Sequence, residues 1–315
     1  MAPCARLDYD LRTMSSLALP SASASARALS PLIVACLAAT WLIWGSTYLA
    51  IKFALVSFPP FLQMGSRFLA AGIALALWMR FVRGAAWPTR RQWLHATVVG
   101  ALMLGGGMGG TAVAEQTVAS GLVVAFIAVV PLLIVLFNLA WGVRPSRLEL
   151  LGIGVGLAGV LMLTQGLGFA ASPGGLLAIT IACIAWSAGS VLSQRATPLA
   201  PGAMGFASEM LCGGVVLMVL AALAGERFAW PPQPLAAAAW AYLVVFGSLI
   251  AFNAYMLLLA RASAGLASSY TFVNPLIAMA LGVTLGGEVV SAFEWSAAGV
   301  VLLGVVLLLA SARRV

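Results

Sequence analysis

The chain has 315 residues, of which 63% are hydrophobic and 8% are charged, and its formal net charge is +8. Because about a quarter of the residues of a soluble domain are charged, this composition excludes an ordinary soluble fold and predicts an integral membrane protein covered by the lipid bilayer. The basic residues are scattered singly between apolar runs, which argues against a partner made of nucleic acid.

The predicted elements are all helices. Residues 1–30 are rich in Ser and Ala and lack an apolar period, so we expect a disordered leader. Each apolar stretch from residue 32 onwards is long enough to cross about 30 Å of hydrocarbon at about 1.5 Å per residue. The glycine-rich passage 105–110 is a point where the third helix could end early. We predict ten transmembrane helices, at 32–55, 60–80, 92–111, 116–138, 148–165, 174–194, 202–223, 236–259, 264–286 and 293–311.

The basic residues predict an orientation, because positively charged loops stay in the cytoplasm. If both termini are cytoplasmic, thirteen of the 16 Lys and Arg residues fall on the inner side. Lys52 and Arg227 are then the outer ones, and Arg67 lies inside a span. An incorrect helix count would scramble this bias, so the ten spans and the orientation support each other.

The two halves of the chain resemble each other at a shift of 142 to 145 residues. Residues 121–132 match 265–276 at five of twelve positions, and residues 149–163 match 294–308 at seven of fifteen. We therefore predict two five-helix repeats, over 32–165 and 174–311. Because five is odd, the second repeat enters the membrane from the opposite side. Inverted repeats of this kind enclose a central cavity near mid-depth that can open to either face.

Several short motifs resemble one known superfamily. They are WGSTY at 44–48, SRFLAAG at 66–72, AEQTVASG at 114–121, EML at 209–211, FGSLIAFNAYM at 246–256, SSYTFVNP at 268–275 and GGE at 286–288. These segments resemble the drug/metabolite transporter superfamily, and more narrowly EamA-type transporters of the YedA-like bacterial inner-membrane group. The resemblance implies a ten-helix, two-repeat fold with a central cavity, and export of small metabolites such as amino acids. Members of the superfamily also transport sugars, nucleotide sugars and drugs.

Arg67 and Glu209 are the charged residues predicted to lie deepest. Arg67 lies about seven residues into the second span, where a buried arginine costs roughly 2.5 to 3.5 kcal/mol. A shift of 142 residues places Glu209 at the equivalent position of the other repeat. We expect a direct or water-bridged pair near the middle of the membrane. Arg67 would then bind a substrate carboxylate, with Glu209 as counter-charge; a structural ion pair is the alternative.

Aromatic and amide side chains inside the spans are further candidates for substrate contact. Trp44 and Trp186 occupy equivalent positions in the two repeats. Aromatic rings within spans can stack on a substrate, although packing or lipid contact is the more frequent role for any single one. The other candidates of this kind belong to the second half: Tyr255, Tyr270, Asn253 and Asn274.

Three residues are candidates for gating or coupling. Glu115 lies where an outer loop enters the fourth span, where solvation and capping are the alternatives. Pro131 and Pro275 occupy equivalent positions inside the fourth and ninth spans. Each proline removes an amide donor and can free a carbonyl four residues earlier, producing a kink beside a transport site or one that only shapes packing.

The favoured function is a secondary transporter that exports a small carboxylated or zwitterionic metabolite, such as an amino acid, through a bacterial inner membrane. Efflux of apolar or cationic toxic compounds is the alternative, and an intramembrane enzyme or lipid-handling protein is a remote one. The cysteines and the single histidine have no spacing typical of metal ligands, and we expect no cofactor. Proton coupling through Glu209 or Glu115 stays open, as does a homodimer.

Overall fold

A computed structural model describes residues 29–118, 123, 126–163, 165, 171–228, 230–286 and 291–312. Nearly all of the predicted leader 1–30 lies outside them. The described residues form helices and no strand, apart from one isolated antiparallel bridge between Val118 and Ala171. The helices are α1 Pro31–Ala54, α2 Pro60–Val82, α3 Arg90–Ala114, α4 Val130–Leu139, α5 Arg147–Leu163, α6 Pro173–Arg195, α7 Ala203–Leu223, α8 Pro234–Arg261, α9 Tyr270–Gly286 and α10 Ala292–Ala312.

Eight helices within the described part of the chain are long and apolar enough to cross a membrane. They are α1, α2, α3, α6, α7, α8, α9 together with the short turn Ala264–Ala267 before it, and α10. Residues 119–122, 124 and 125 of the predicted span 116–138 lie outside the described residues, and α4, with 10 residues, covers the end of this span. The predicted span 148–165 corresponds to α5, which has 17 residues. Large apolar side chains such as Leu42, Ile181 and Leu303 are exposed on the helices, as expected for a surface that faces lipid.

Local sequence signals set where the helices begin. Proline occupies the first turn of α1, α2, α6 and α8, where its missing amide donor leaves no helical hydrogen bond unmade. Ser30 and Ser172 accept hydrogen bonds from backbone amides of α1 and α6. Thr89 and Gln92 form a reciprocal capping box at the start of α3.

The glycine-rich passage does not end the third helix. α3 continues through it with wide π-type turns over Ala101–Gly109, and α8 has the same geometry over Leu243–Phe252. The two stretches begin 142 residues apart, which is the spacing of the internal repeat. π-type turns are rare and frequent at functional sites. Both halves therefore have an irregular turn at the same position.

The helices pack in a pattern that repeats between the halves. The most extensive contacts join α2 to α7, α3 to α6 and α5 to α10. α1 packs against α8 and α9, and α6 packs against α3 and α4. Each of these contacts has a counterpart five helices along the chain: α1–α8 corresponds to α6–α3, and α1–α9 corresponds to α6–α4.

Glycines allow the α5–α10 contact to be unusually close. A Cβ atom added at Gly304 would lie 2.5 Å from the backbone nitrogen of Gly156. One added at Gly159 would lie 2.7 Å from the backbone nitrogen of Val301. The small residues of α5 thus pack against α10 of the same chain, which is the role that small-xxx-small spacing permits in membranes.

Candidate functional site

A small cavity of about 90 Å³ lies between helices of both halves. Its volume is about three times the roughly 30 Å³ that one water molecule occupies in the liquid. Its wall comes from α1, α2, α3, α6, α9 and the residues leading into α4. It contains six of the residues predicted from the sequence: Trp44, Arg67, Glu115, Trp186, Tyr270 and Asn274.

Arg67 extends from α2 into this cavity and is almost fully buried, with 2% of its surface exposed. Its guanidinium carbon lies 4.7 Å from the ring centroid of Phe68, and Nη2 lies 3.6 Å from the Sδ atom of Met108. Nε and Nη1 have no hydrogen-bond partner among the described residues. A buried cation with unused donors can bind an anionic group that enters the cavity.

Glu115 is the carboxylate that shares the cavity with Arg67. It follows the last residue of α3, is half-buried, and interacts electrostatically with Arg67. The two groups provide a positive and a negative charge on one cavity wall. Such a wall matches a molecule that has both charges itself.

Glu209 does not form the direct pair with Arg67 that the repeat suggested. It is fully buried on α7, it does not line the cavity, and neither carboxylate oxygen has a hydrogen-bond partner among the described residues. Its electrostatic neighbours include Tyr255 and Cys212. In the antiparallel α2–α7 contact, Gly65 lies against Met218 and Gly72 against Leu211. Glu209 is therefore about two helical turns from Arg67 along this contact, although the two residues are equivalent in the repeats.

Four aromatic rings pack together along one side of the cavity. The ring of Trp44 is at the centre, with centroid distances of 4.6 Å to Tyr270, 5.3 Å to Tyr255 and 5.8 Å to Trp186. Trp44 and Trp186, the pair predicted from the repeat, thus lie in contact. The Nε1 atom of Trp44 donates to the carbonyl of Gly247 at 3.3 Å, inside the π-type stretch of α8.

Tyr255 packs against the other three rings but does not line the cavity. It is fully buried, and its hydroxyl accepts a hydrogen bond from Trp186 Nε1 at 3.1 Å. The same hydroxyl lies 2.9 Å from Ser190 Oγ. These bonds fix the orientation of the Trp186 ring, so Tyr255 acts on the cavity through that ring.

The two predicted asparagines have different positions. Asn274 lines the cavity, and one end of its side-chain amide lies 3.3 Å from the carbonyl oxygen of Trp41 and 3.1 Å from that of Tyr270, so we assign the amide nitrogen to this end, where it donates to both. Asn253 lies outside the cavity wall and donates to the carbonyl of Leu249 at 2.8 Å. Only Asn274 is therefore placed to meet a molecule in the cavity in this conformation.

The two predicted prolines also differ. Pro131 lies in the first turn of α4, which begins at Val130, whereas Pro275 lies inside α9. The helical residues Phe126 and Ile127 precede a turn at Ala128 and Val129, so Pro131 lies just after an interruption of the helical backbone. Ile127 and Val130, beside this interruption, line the cavity. The backbone next to Pro131 therefore belongs to the site, although the proline ring does not line it.

Ten residues of the cavity wall were not among the candidates from the sequence, and five of them have a hydroxyl group or a sulfur atom: Thr47, Met64, Met108, Thr111 and Cys183. Except for Met64 on α2, these five lie on spans that are apolar all round, where hydrophobic periodicity gives no preferred face. One signal was present in the glycine-rich passage. A Cβ atom at Gly107 would lie 3.0 Å from the Trp186 ring, so glycine there allows α3 to approach the cavity wall.

Most of the buried polar side-chain atoms without partners belong to three helices, α2, α7 and α8. Among the described residues they include atoms of Gln63 and Arg67 on α2, Glu209 on α7, and Ser248 and Asn253 on α8. Unsatisfied polar groups are costly inside a membrane and mark function by default. The contact region of α2, α7 and α8 is thus chemically unlike the rest of the bundle.

Comparisons with known proteins agree with this architecture. The sequence profile of the EamA-like transporter family matches residues 22–165 and again residues 173–310. The chain belongs to the EamA-like transporter family. It is 44% identical over 282 residues to the uncharacterized inner membrane transporter YedA of Escherichia coli K12, covering 89% of this chain and 91% of that protein.

Two more distant similarities complete the comparison. This EamA-like transporter is 25% identical over 313 residues to an uncharacterized transporter of Synechocystis, covering 86% of this chain and 88% of the other. It also resembles a solved crystal structure with a TM-score of 0.72 and 23% identity, over 89% of this chain and 96% of that chain. That last similarity supports the fold alone.

Proposed function

We propose that this EamA-like transporter moves a small zwitterionic or carboxylated metabolite, such as an amino acid, by alternating access. The cavity supports this proposal, because it combines the guanidinium of Arg67, which has two unused donors among the described residues, with the carboxylate of Glu115 and an aromatic wall. A substrate carboxylate would bind Arg67 and a substrate ammonium would bind Glu115. A buried charge is costly without a partner of opposite charge, so a substrate that brings both charges would stabilise the loaded cavity relative to the empty one.

Ten spans arranged as two inverted repeats, 32–165 and 174–311, are the architecture on which this mechanism depends. The exchange pattern of the helix contacts supports it, as do the matching π-type stretches of α3 and α8. With five spans in each half, the halves have opposite directions in the membrane. Rocking of one half against the other would then open the cavity to one face and close it to the other.

The aromatic cluster is the proposed gate of the cavity. A cavity of about 90 Å³ is smaller than the roughly 300 to 1,000 Å³ of typical ligand pockets, so a substrate enters only if the wall moves. On α6, Trp186 lines the cavity, Ser190 binds Tyr255 one turn later, and Gln194 follows after another turn. Movement of α8 relative to α6 would break the Tyr255 hydrogen bonds and release the Trp186 ring.

The proposed location is a bacterial inner membrane, with both termini in the cytoplasm. The name of the Escherichia coli relative supports the membrane, and the distribution of Lys and Arg supports the orientation. Export as the direction of transport comes from the family resemblance alone. Proton coupling and a homodimer are compatible with this proposal but are not needed for it.

Efflux of apolar or cationic toxic compounds is the second candidate function. The aromatic wall and the half-buried Glu115 favour it, because aromatic rings and carboxylates attract organic cations. A susceptibility panel in cells that overproduce the protein separates the two functions. Resistance to many unrelated cations supports efflux, and resistance to amino acids or their analogues supports the first proposal.

Counterflow in proteoliposomes with a labelled amino-acid mixture is the direct test. We expect uptake by the wild type, at least a tenfold loss in Arg67→Ala, and partial activity in Arg67→Lys, which keeps the charge but loses the planar fork. An Arg67→Ala protein that is folded and exchanges amino acids at the wild-type rate would remove Arg67 from the site. Absence of counterflow with any amino acid would reject this substrate class.

A further inference from the structure

A second and larger cavity, which we call the vestibule, lies at one end of the bundle. Its volume is about 610 Å³, within the range of roughly 300 to 1,000 Å³ that is typical of small-molecule sites. Its wall comes from the last turns of α4, α6 and α8 and the segments that precede α5, α7 and α9. Both halves of the chain thus contribute to it, as they do to the central cavity.

Three arginines from separate parts of the chain line the vestibule. Arg144 lies between α4 and α5, Arg195 at the end of α6 and Arg261 at the end of α8. Among the described residues of the wall, the acidic side chain is that of Glu149. Its Oε1 atom accepts a hydrogen bond from the backbone nitrogen of Gly265 at 2.9 Å. The vestibule wall therefore has an excess of positive charge.

Arg195 is held in place by a buried asparagine. Asn138 donates through Nδ2 to the carbonyl of Ile134 at 3.1 Å, which turns its Oδ1 atom toward the arginine. That oxygen accepts a hydrogen bond from Arg195 Nε at 3.1 Å. The two terminal nitrogens of Arg195 have no acceptor in the described part of the chain. A guanidinium fixed by Nε presents those nitrogens to an oxyanion in the geometry that a carboxylate or phosphate prefers.

The preference of Lys and Arg for the cytoplasmic side explains why arginines lie at this end of the bundle. It does not explain why three of them line the same cavity. Arg83, Arg90 and Arg91 would lie on the same side of the membrane, and none of them lines the vestibule. A concave wall with one sign of charge concentrates ions of the opposite sign more strongly than scattered surface charges do.

We propose that the vestibule binds the carboxylate or phosphate group of a soluble small molecule before it enters the central cavity. The proposal rests on the proposed transport function for the second part of this route. Trp186 in the central cavity and Gln194 in the vestibule lie on one helix, about 12 Å apart along its axis. The Tyr255–Ser190 hydrogen bond lies between them, so the aromatic gate separates the two sites.

Binding of citrate to the purified full-length protein is the test, because it requires no transport. The protein would be placed in phosphatidylcholine nanodiscs, and citrate would be titrated at constant ionic strength with choline as the cationic control. The test variant is Arg144→Gln, Arg195→Gln and Arg261→Gln combined. The matched control is Arg83→Gln, Arg90→Gln and Arg91→Gln combined, which removes the same charge from outside the vestibule.

We expect citrate to bind the wild type, at least a tenfold weaker affinity in the vestibule variant, and less than a twofold change in the control variant. Arg195→Lys should give an intermediate affinity, because it keeps the charge but loses the bond to Asn138. Equal weakening in both triple variants would attribute binding to general surface charge and overturn the proposal. So would an absence of citrate binding to folded wild-type protein.

The same nanodiscs distinguish a soluble anion from a lipid headgroup. Replacement of part of the phosphatidylcholine by phosphatidylglycerol should leave citrate affinity within a few-fold at constant ionic strength. Loss of citrate binding in the nanodiscs that contain phosphatidylglycerol would indicate that the lipid headgroup occupies the vestibule, and this result would overturn the proposal. A failure of counterflow with intact citrate binding would reject the proposed substrate class and leave the vestibule as an anion site.

Discussion

The α5–α10 and α2–α7 pairs occupy equivalent places in the packing pattern but differ in chemistry. Glycines and aliphatic side chains form the α5–α10 contact, where backbones approach closely. The α2–α7 pair contains Gln63, Arg67 and Glu209, all buried and each with atoms that lack a partner among the described residues. One pair is thus organised for tight packing, and the other keeps polar groups that stability alone does not favour. We therefore propose that the substrate path runs beside α2–α7.

Gly304→Leu tests the packing side of this comparison and should have the largest effect. A Cβ atom there would lie 2.5 Å from the Gly156 nitrogen, so α10 must move away from α5. Overpacking costs about 1 to 3 kcal/mol when side chains can adjust, and more is expected against a backbone atom. We expect little folded protein by size-exclusion chromatography in detergent.

The control is Gly299→Leu on the same helix, where nothing lies within 4 Å of the added Cβ. An equal loss of folded protein in both variants would contradict the tight contact.

Arg67→Met combined with Glu115→Leu tests the polar side. The double variant replaces both charges of the cavity by apolar side chains. Replacement of a whole buried pair is often neutral or stabilising by about 1 to 4 kcal/mol, whereas removal of one partner alone costs about 3 to 5 kcal/mol. We expect a higher melting temperature in detergent together with the loss of counterflow. A lower melting temperature would instead show that the charged pair holds the helices together, which was the structural alternative that the sequence left open.

Much of the architecture followed from the sequence because it depends on one-dimensional patterns. Apolar length predicted where the helices lie, and the repeat shift predicted that Trp44 and Trp186 belong together. The partner of Arg67 did not follow, because equivalent positions of the antiparallel α2–α7 pair lie equally far from the centre of the contact but on opposite sides of it. Glu115, assigned to gating or capping, therefore lies in the cavity with Arg67, whereas Glu209 does not. The π-type turns that rotate the later part of α3 have no signature beyond glycine content.

Gln63→Leu tests whether a buried polar side chain outside the cavity is needed for transport. Its effect on stability should be smaller than those of the preceding variants. Gln63 is fully buried one turn before Arg67, and both of its amide atoms lack a partner, but it does not line the cavity. Removal of an unsatisfied buried amide should stabilise the protein by about 1 to 3 kcal/mol. We expect a higher melting temperature with counterflow retained. Loss of counterflow at unchanged or lower melting temperature would mean that the substrate path reaches Gln63.

Tyr255→Phe should have the smallest effect on stability and a specific effect on transport. It removes the hydroxyl that accepts from Trp186 at 3.1 Å and contacts Ser190 at 2.9 Å, and it leaves the ring packing intact. Each such hydrogen bond contributes about 0.5 to 1.5 kcal/mol. Because the proposed gate depends on these bonds, we expect a changed exchange rate, with the substrate affinity within a few-fold of the wild-type value.

Ser190→Ala is the matched variant, since it removes one of the two bonds and should produce part of the same change. An unchanged exchange rate in both variants, at wild-type melting temperature, would show that opening of the cavity does not involve Tyr255 and would move the gate elsewhere among the aromatic rings.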